Sequence, residues 1–296
     1  MIIRSLRNHW IVPVERRCPP LLFYGIFFLT TFALFLPNHS TAAIRSRSAI
    51  VVEASTGRVL YARDPHCRLP PASTVKLMTA ILTMDKLDLS GVLTMGKNTA
   101  RVPRTKVFKQ GDRVSIEQLL YAALIKSAND AAVALAEAVS GSEEEFVHLM
   151  NQKAISIGTE NTVFANSTGL PGPGQYSTVS DLSAIMRYAL SYPKLREIMG
   201  TPLAQLSTTK GKNVLLKNTD KLLWSDKNLI AGKTGYTFEA GHCFVCAAER
   251  QEKRIIVALL KSPSRKSLWR ETEELIHKGF NTPVDIGQEA TAAENF

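Results

Sequence analysis

The segment 70–82, Pro-Pro-Ala-Ser-Thr-Val-Lys-Leu-Met-Thr-Ala-Ile-Leu, decides our interpretation of the fold. Two prolines come before Ser73 and a largely apolar run follows Lys76, which predicts a helix that opens near Ser73. Residues i and i+3 lie on one helix face, about 5–6 Å apart at Cβ, so the Ser73 hydroxyl can reach the Lys76 amine. Because a neutral amine can accept the hydroxyl proton, Ser73 is a candidate nucleophile and Lys76 its candidate base.

The Ser-x-x-Lys pattern alone is weak, because it also occurs at Ser191 and Ser207. Ser191 is followed by Pro193, which disfavours a helical residue before it. Ser207 lies in a polar run without an apolar face. Only Ser73 opens a convincing helix, although taken alone it also fits a plain N-cap, which contributes about 1 kcal/mol.

Two further motifs follow in a fixed order, Ser127-Ala-Asn129 and Lys233-Thr-Gly235, and each occurs once. Taken singly, the first fits caps of an alanine-rich helix at 130–139, and the second fits a strand that enters a turn. Together with Ser73 and Lys76 they supply a nucleophile, a base, a proton relay and an anion site. Burial and a second cation, for which Lys233 is the candidate, would keep the Lys76 amine neutral. The combination favours a serine acyltransferase.

The sequence from about Ala49 to Phe280 resembles the D-alanyl-D-alanine carboxypeptidases, which are low-molecular-mass penicillin-binding proteins. Besides the three motifs, the resemblance includes the segments EASTG at 53–57, NSTGL at 166–170 and GKTGYT at 232–237. It implies a mixed α/β fold of the β-lactamase and transpeptidase type. In that fold an antiparallel sheet is flanked by helices, and a helical subdomain is added.

The resemblance also implies the roles of the catalytic residues. Ser73 would be the acylated nucleophile and Lys76 its base, while Ser127 and Asn129 would relay protons and hold the substrate amide. The backbone N–H groups of Ser73 and Tyr236 would form an oxyanion hole.

The resemblance implies a second group of residues that binds the substrate. These residues are Lys233, Thr234, Gly235, Tyr236 and Arg270. Among them, Lys233 and Thr234 would hold the terminal carboxylate, and Arg270 would assist. Neither a metal nor a cofactor is implied.

The implied activity is a serine-type D,D-carboxypeptidase that removes the terminal D-Ala from peptidoglycan stem peptides and is acylated by β-lactam antibiotics. A D,D-endopeptidase that cuts cross-links is the first alternative. It gains weight because the sequence has no β-rich domain after the predicted catalytic one. A penicillin-sensing domain and a β-lactamase are less favoured. The stretch 162–175 has no acidic residue, so it lacks the glutamate with which class A β-lactamases activate water. A long-lived penicilloyl adduct is therefore expected.

A hydrolase with a Ser-His-Asp triad is a further alternative. It would require Gly-x-Ser-x-Gly, and the nearest match is ANSTG at 165–169, which lacks the first glycine. His242 would be the tempting partner, but it fits an ordinary strand residue.

Composition is that of a globular protein, because 45% of the 296 residues are hydrophobic and 21% are charged. The formal net charge of +10 predicts a weak attraction to anionic wall polymers or membrane surfaces. Lysines and arginines are scattered rather than arranged in a stripe with aromatics, which argues against nucleic acid as a partner.

The N-terminus resembles a targeting segment. Four arginines come before an uncharged run at 21–36, and small residues follow at 40–43. Sixteen residues are fewer than the roughly 20 that span a bilayer, so residues 1–43 are interpreted as a signal peptide, with a retained anchor as the alternative. The catalytic part is then extracytoplasmic. We expect a catalytic domain at 44–280, with a helical subdomain at about 85–225, and a polar tail at 281–296.

Three cysteines lie beyond this leader: Cys67, Cys243 and Cys246. Cys243 and Cys246 fall in a predicted strand, where positions i and i+3 face opposite sides. Buried small hydrophobes are the favoured interpretation, and a bridge from Cys67 to one of the other two is the alternative. The spacing supports no metal site.

Periodicity predicts strands at both ends of the domain and helices between them, so both ends should share one sheet. The middle block has little strand pattern. The predicted strands are 49–54, 59–63, 243–250 and 254–260, and the predicted helices after Ser73 are 116–124, 130–139, one capped at 142–145, 179–190 and 264–278.

Overall fold

A five-stranded antiparallel sheet lies at the centre of the part of the chain that the computed structural model describes, residues 43–103, 105–207 and 213–283. The predicted leader up to residue 42 and the predicted tail from residue 284 lie outside the described residues. The strands of this sheet are β1 (Ser48–Glu53), β2 (Val59–Arg63), β7 (Leu229–Thr237), β8 (Gly241–Arg250) and β9 (Lys253–Ser262).

Both ends of the described chain contribute to this sheet, as predicted. Its order is β2-β1-β9-β8-β7, which places β7 at one edge. All six residues of β1 are buried, because the strand pairs on both sides and helices cover both faces of the sheet. In the β7–β8 register, Lys233 lies opposite Val245 and Gly235 lies opposite Cys243. The motif at 233–235 therefore sits on an edge strand held by a fully paired neighbour.

Eight helices occur within the described residues. They are α1 (Lys76–Lys86), α2 (Lys97–Arg101), α3 (Ile116–Ile125), α4 (Asn129–Ser140), α5 (Glu143–Ile157), α6 (Val179–Ala189), α7 (Pro193–Met199) and α8 (Arg265–Asn281). Helices α1, α3, α4, α5, α6 and α8 begin or end close to the predicted limits, whereas α2 and α7 were not predicted.

The two faces of the sheet have different helical covers. Helix α8 packs on β8 and β9 through an apolar stripe of Leu268, Leu275 and Ile276. On the other face, α6 packs on β1 and β9. Helix α1 is central, since the eight residues from Lys76 to Thr83 are all buried. A charged side chain at the start of so buried a helix must be satisfied internally.

The middle block is mainly helical and has little strand, but it contains four short strands that the sequence pattern did not predict. Two short hairpins occur there: β3 (Val92–Thr94) pairs with β4 (Arg113–Ser115), and β5 (Leu203–Ser207) pairs with β6 (Asn213–Lys217). Strands of three residues are too short to show a periodic pattern. In the second hairpin each strand buries one leucine, Leu206 or Leu216, and the exposed leucines Leu203 and Leu215 mask the alternation.

The caps show how local sequence sets helix starts. Ser142 accepts a hydrogen bond from the Glu145 N–H at 3.2 Å, which caps α5 as predicted. At α3 the reciprocal bonds of a full capping box join Ser115 and Gln118. No helix among the described residues is long and apolar enough to cross a membrane.

The three cysteines beyond the leader are free thiols, so the alternative of a bridge from Cys67 was wrong. Cys243 and Cys246 lie in hydrophobic clusters on opposite faces of the sheet, as the strand period predicts. Burial raises the pKa of the Cys243 thiol to about 12 and that of Cys246 well above the usual range. Both thiols are therefore protonated and inert near neutral pH.

Candidate active site

Ser73 and Lys76 meet as their spacing predicts. Lys76 Nζ lies 3.1 Å from Ser73 Oγ. The local structure differs from the prediction, because Ser73 lies in a 3-10 turn, Ala72–Val75, and α1 begins only at Lys76. That turn has no side-chain cap, so the plain N-cap interpretation of Ser73 was wrong. The Ser73 hydroxyl remains available for chemistry.

Lys76 is fully buried and surrounded by oxygen atoms. Its Nζ donates to Asn129 Oδ1 at 2.8 Å and to the carbonyl oxygen of Thr168 at 2.6 Å. These two acceptors can only receive protons, so in a neutral amine they occupy both N–H bonds. The lone pair then points at the third neighbour, Ser73 Oγ. This arrangement orients a base towards the serine proton.

The surroundings favour that neutral form. Burial lowers the pKa of Lys76 well below the usual range of an amine, and the charge of Lys233 lowers it further, whereas Asp130 opposes both effects. Burial also lowers the pKa of Lys233, to about 7, against the opposing effect of Asp220. A positive charge on Lys233 therefore favours the neutral form of Lys76.

Neither Ser127 nor Asn129 caps a helix. Helix α4 begins at Asn129 after Ala128 and has no side-chain cap, so the capping interpretation was wrong. Ser127 has a φ of 61°, a left-handed conformation that costs on the order of 1–3 kcal/mol in a residue other than glycine. In that conformation its Oγ accepts from Lys233 Nζ at 3.0 Å. The turn thus directs a hydroxyl at the second lysine.

Strand β7 presents the third motif beside the nucleophile. Lys233 Nζ also donates to the carbonyl oxygen of Thr234 at 2.8 Å, and Thr234 Oγ1 donates to Thr219 Oγ1 at 2.7 Å. A Cβ on Gly235 would lie 2.9 Å from the backbone nitrogen of Ser73. Glycine is required there because β7 passes directly against the 3-10 turn.

Ser73, Ser127, Asn129, Thr234 and Gly235 line a cleft of about 410 Å³, whereas the buried Lys76 and Lys233 are not among its lining residues. Tyr236 lies at its mouth, half-exposed, with its ring 4.6 Å from that of His242. No carboxylate is among the lining residues, which are Ser73, Thr105, Lys126, Ser127, Asn129, Gly169, Leu170, Thr219, Thr234, Gly235, Tyr236, Thr237, His242, Arg265, Leu268 and Trp269.

The structure does not bring Arg270 into the cleft. Its guanidinium instead lies 3.5 Å from Glu271 Oε1, and the other oxygen of that buried carboxylate accepts from Ser46. Arg265, five residues earlier on α8, lines the cleft. Five residues rotate a helix by about 140°, so the two arginines face different sides. The apolar stripe of α8 shows which side of the helix faces the sheet. Counting residues from that stripe could have predicted that Arg265 and Arg270 lie on different sides.

Other features of the site were missed in the sequence. The Thr168 carbonyl, which binds Lys76, lies in the NSTGL segment that we recognised without assigning a role. A backbone acceptor has no side-chain pattern that could reveal it. Thr219 and Asp220, which lie next to β7, come from a segment that no motif marked.

The serine of the Ser-His-Asp alternative, Ser167, is not placed as a nucleophile. Ser167 is buried, and its Oγ donates to Glu143 Oε1 at 2.6 Å. His242 instead stacks on Tyr236, and burial together with the charge of Arg265 lowers its pKa. Neither residue is positioned to activate the other.

A larger cavity, about 1000 Å³, lies beside the turn between β8 and β9. It contains none of the motif residues, and part of its charged lining is already paired, as in the Arg254–Glu249 ion pair. Chemistry rather than size therefore selects the smaller cleft as the candidate active site.

Comparison with protein families and curated proteins agrees with this site. Residues 37–264 match the family described as D-alanyl-D-alanine carboxypeptidase. The chain is 34% identical to the D-alanyl-D-alanine carboxypeptidase DacF of Bacillus subtilis over 248 residues, which are 82% of this chain and 64% of that protein. It is 36% identical to the D-alanyl-D-alanine endopeptidase of Pseudomonas aeruginosa over 208 residues, 68% of this chain and 66% of that protein. The chain thus spans about two thirds of the length of these relatives.

Solved structures share the fold. The D-alanyl-D-alanine carboxypeptidase of Mycobacterium tuberculosis superposes with a TM-score of 0.78 at 32% identity, over 82% of this chain and 94% of that one. Penicillin-binding protein D2 of Listeria monocytogenes, in its ampicillin-bound form, gives 0.72 at 31% identity, over 81% and 98%. The predicted mixed α/β fold with an antiparallel sheet is confirmed.

Proposed function

The chain belongs to the D-alanyl-D-alanine carboxypeptidase family, and from that membership we propose that it is a serine-type D,D-carboxypeptidase. It removes the terminal D-Ala from peptidoglycan stem peptides. One observation carries the proposal: Lys76 Nζ lies 3.1 Å from Ser73 Oγ while Asn129 and Thr168 occupy its N–H bonds. This is the arrangement that an activated nucleophile requires.

Acylation follows from this arrangement. Ser73 Oγ attacks the carbonyl carbon of the D-Ala–D-Ala bond and gives its proton to Lys76. The backbone N–H groups of Ser73 and Tyr236 stabilise the oxyanion of the tetrahedral intermediate. Lys76 hands the proton on to Ser127, which protonates the leaving nitrogen; the C–N bond breaks, D-Ala departs, and Lys76 is again neutral. Asn129 holds both Lys76 and the substrate amide.

Deacylation reverses these roles. Water attacks the ester on Ser73, Lys76 accepts its proton, and the Ser73 oxygen recovers a proton as the shortened peptide leaves. Because no carboxylate is among the residues that line the cleft, water activation falls to the lysine. Attack by Ser73 on a β-lactam breaks the C–N bond of the ring, and the opened penicilloyl group stays attached to Ser73 as an ester that blocks this step, so we expect a long-lived adduct.

The terminal carboxylate of the substrate is bound on the β7 side of the cleft. Lys233 and Thr234 are its proposed donors, and the close approach of Gly235 to the 3-10 turn keeps them beside Ser73. Arg265, which lines the cleft, takes the part that the sequence suggested for Arg270. A charge-assisted hydrogen bond to a carboxylate contributes about 1.5–3 kcal/mol.

Arg265→Ala is therefore expected to lower kcat/KM for a D-Ala-D-Ala peptide by about 10- to 100-fold, mainly through KM, since the carboxylate is bound throughout the reaction. Arg270→Ala is the matched control, with the same charge change five residues away on the same helix. Steady-state release of D-Ala measures both. Equal losses in the two variants would remove the carboxylate role from Arg265.

Endopeptidase activity is the second candidate, favoured by the 36% identity to the D-alanyl-D-alanine endopeptidase of Pseudomonas aeruginosa. Both activities use the same acyl-enzyme and differ in the leaving group. We expect the protein to release D-Ala from uncross-linked pentapeptide muropeptides faster than it cuts cross-linked dimers. Chromatography of the two digests, with mass spectrometry, measures the ratio. Cleavage of dimers without D-Ala release would replace the carboxypeptidase assignment by an endopeptidase one.

Location and partners follow from the proposed substrate. Because stem peptides lie outside the cytoplasmic membrane, we propose an extracytoplasmic catalytic domain at 44–280 that follows a signal peptide or anchor at 1–43. The helical subdomain at about 85–225 supplies Ser127. The net charge of +10 favours weak association with anionic wall polymers or membrane surfaces.

A further inference from the structure

A smaller cavity, of about 340 Å³, adjoins the catalytic cleft, and the proposed reaction does not use it. Leu170 lines both spaces and separates one from the other. Thr168 lines the small cavity, and its carbonyl oxygen accepts from Lys76. Pro103 also lines it, and the carbonyl oxygen of Pro103 accepts from Asn129 Nδ2 at 3.0 Å. The cavity is therefore in direct contact with residues that hold two catalytic side chains.

The wall between the two spaces is a turn, residues 166–170, that is fixed by its own hydrogen bonds. Asn166 Oδ1 accepts from the N–H groups of Thr168 and Gly169 at 3.2 and 2.7 Å. Asn166 Nδ2 donates to the Leu170 carbonyl at 2.9 Å. A Cβ on Gly169 would lie 1.9 Å from the carbonyl oxygen of Ala72, so the turn packs directly against the segment that carries the nucleophile. The position of the cavity relative to the nucleophile is thereby fixed.

Glu143 places a carboxylate at this cavity. It is the first residue of α5, and its Oε1 accepts from the N–H of Ser167 at 2.9 Å and from Ser167 Oγ at 2.6 Å. The other oxygen, Oε2, has no hydrogen bond and no ion pair within the described part of the chain, and it is not enclosed by the protein. A carboxylate that is held through one oxygen and open at the other is suited to bind a cation.

The rest of the lining indicates the shape of that cation. Val102, Val133 and Leu170 give the cavity apolar walls. Asn98 Nδ2 donates to Glu137 Oε1 at 2.8 Å, which leaves Asn98 Oδ1 as a second acceptor. Neither lysine nor arginine is among the described residues that line the cavity. Apolar walls with two oxygen acceptors fit a chain of methylene groups that ends in an ammonium group.

The proposed reaction indicates which part of the substrate lies near this cavity. The donors proposed for the terminal carboxylate belong to β7 and α8, so the leaving D-Ala lies on that side of Ser73. Asn129 is proposed to hold the substrate amide, and it contacts Pro103 at the cavity. The part of the peptide that comes before the cleaved bond is therefore directed towards Glu143.

We propose that the small cavity is a specificity site for the acyl side of the substrate, in which Glu143 binds the ammonium group of a lysine-like side chain. The substrate class is a stem peptide with such a basic residue directly before D-Ala-D-Ala. Asn98 Oδ1 accepts a further hydrogen bond from the ammonium group, and the apolar walls contact the methylene chain. This inference rests on the proposed function in taking a D-Ala-D-Ala peptide as the ligand.

Two acetylated tripeptides test the inference, one with L-lysine and one with L-norleucine before D-Ala-D-Ala. Norleucine keeps the unbranched side chain and lacks the ammonium group. We expect the wild type to have a kcat/KM about 5- to 10-fold higher for the lysyl peptide, mainly through KM, because a partly exposed ion pair contributes modestly to binding. Glu143→Gln keeps an acceptor for Ser167 and removes the charge, so the ratio should fall to about 1.

Glu144→Gln is the matched control, since it makes the same charge change at the next residue of α5, which is exposed and does not line the cavity. Its ratio should equal that of the wild type. An equal fall in Glu143→Gln and Glu144→Gln overturns the inference, because the preference would then reflect overall charge. A lysyl preference that survives in Glu143→Gln also overturns it. If that variant does not fold, equal kcat/KM values for the two peptides in the wild type still do so.

Calorimetric binding of both peptides to Ser73→Ala, with and without Glu143→Gln, separates the inference from the proposed function. Tighter binding of the lysyl peptide that depends on Glu143, in a protein whose wild type releases no D-Ala, would overturn the proposed function and leave the specificity site standing. Release of D-Ala at equal rates from both peptides, with equal dissociation constants, would do the reverse. Binding of neither peptide would overturn both.

Discussion

Ser73→Ala is expected to abolish covalent labelling by penicillin and to lower the rate of D-Ala release by about 10⁴- to 10⁶-fold. The loss should be this large because Ser73 Oγ forms the bond that is later hydrolysed, and because alanine leaves Lys76 with no proton to accept. Labelling with a fluorescent penicillin, followed by mass spectrometry of the intact protein, measures the covalent step. Release of D-Ala from a pentapeptide measures turnover.

Ser191→Ala is the matched control for this change. Ser191 heads a second Ser-x-x-Lys sequence, but its Oγ donates to the Tyr188 carbonyl at 2.7 Å and it lies outside the catalytic cleft. It should keep wild-type labelling and turnover. Thermal unfolding of Ser73→Ala should resemble that of the wild type, since the lost hydroxyl contacts only Lys76 among the described side chains. Labelling of Ser73→Ala at the wild-type rate would exclude Ser73 as the nucleophile.

The sequence was sufficient to predict the elements that depend on local pattern. Strand β1 is a continuous apolar run and helix α8 has an apolar stripe, so their limits were found within a few residues. The close approach of Ser73 and Lys76 also followed from helical spacing. Each of these features can be predicted from a few residues that are neighbours in the sequence.

Features that depend on distant contacts could not be predicted in this way. The carbonyl of Thr168 reaches Lys76 across 92 positions of sequence, and no side-chain type marks such an acceptor. Taken alone, Asn129 fits a cap, because Ser and Asn residues before an alanine-rich segment usually are caps, and only the set of motifs favoured a catalytic role. Tertiary contacts with Lys76 and Pro103 outweighed that preference.

These contacts between distant segments determine the environments of the two buried lysines. Two lysines are buried in one site, at 0% and 1% exposure for Lys76 and Lys233, and the reaction requires one neutral and one positive. Carbonyl and amide oxygens fix the orientation of Lys76, and Lys233 donates to Ser127 Oγ and to the Thr234 carbonyl. Ser127 and Asn129 belong to the second motif, but the Thr168 carbonyl is not visible in the motifs, because it lies in a segment between them.

Lys76→Arg is expected to lower the rate of acylation by about 10³-fold or more, because a guanidinium keeps its proton in proteins and cannot act as the base. The same logic gives the pH dependence of the wild type. Acylation should be lost as pH falls through the pKa of Lys76, since the protonated amine has no lone pair, and that pKa lies well below the ordinary value for lysine. Stopped-flow acylation by a chromogenic cephalosporin across pH measures both effects.

Two further variants make the result interpretable. Lys194→Arg is the matched control, because Lys194 ends the Ser191 sequence and forms ion pairs with Glu117 and Glu197 that an arginine can keep; it should acylate at the wild-type rate. Lys76→Met removes the base without adding a buried charge, so it should remain folded and equally slow. If Lys76→Met kept more than about a tenth of the wild-type acylation rate, another group would have to accept the proton of Ser73.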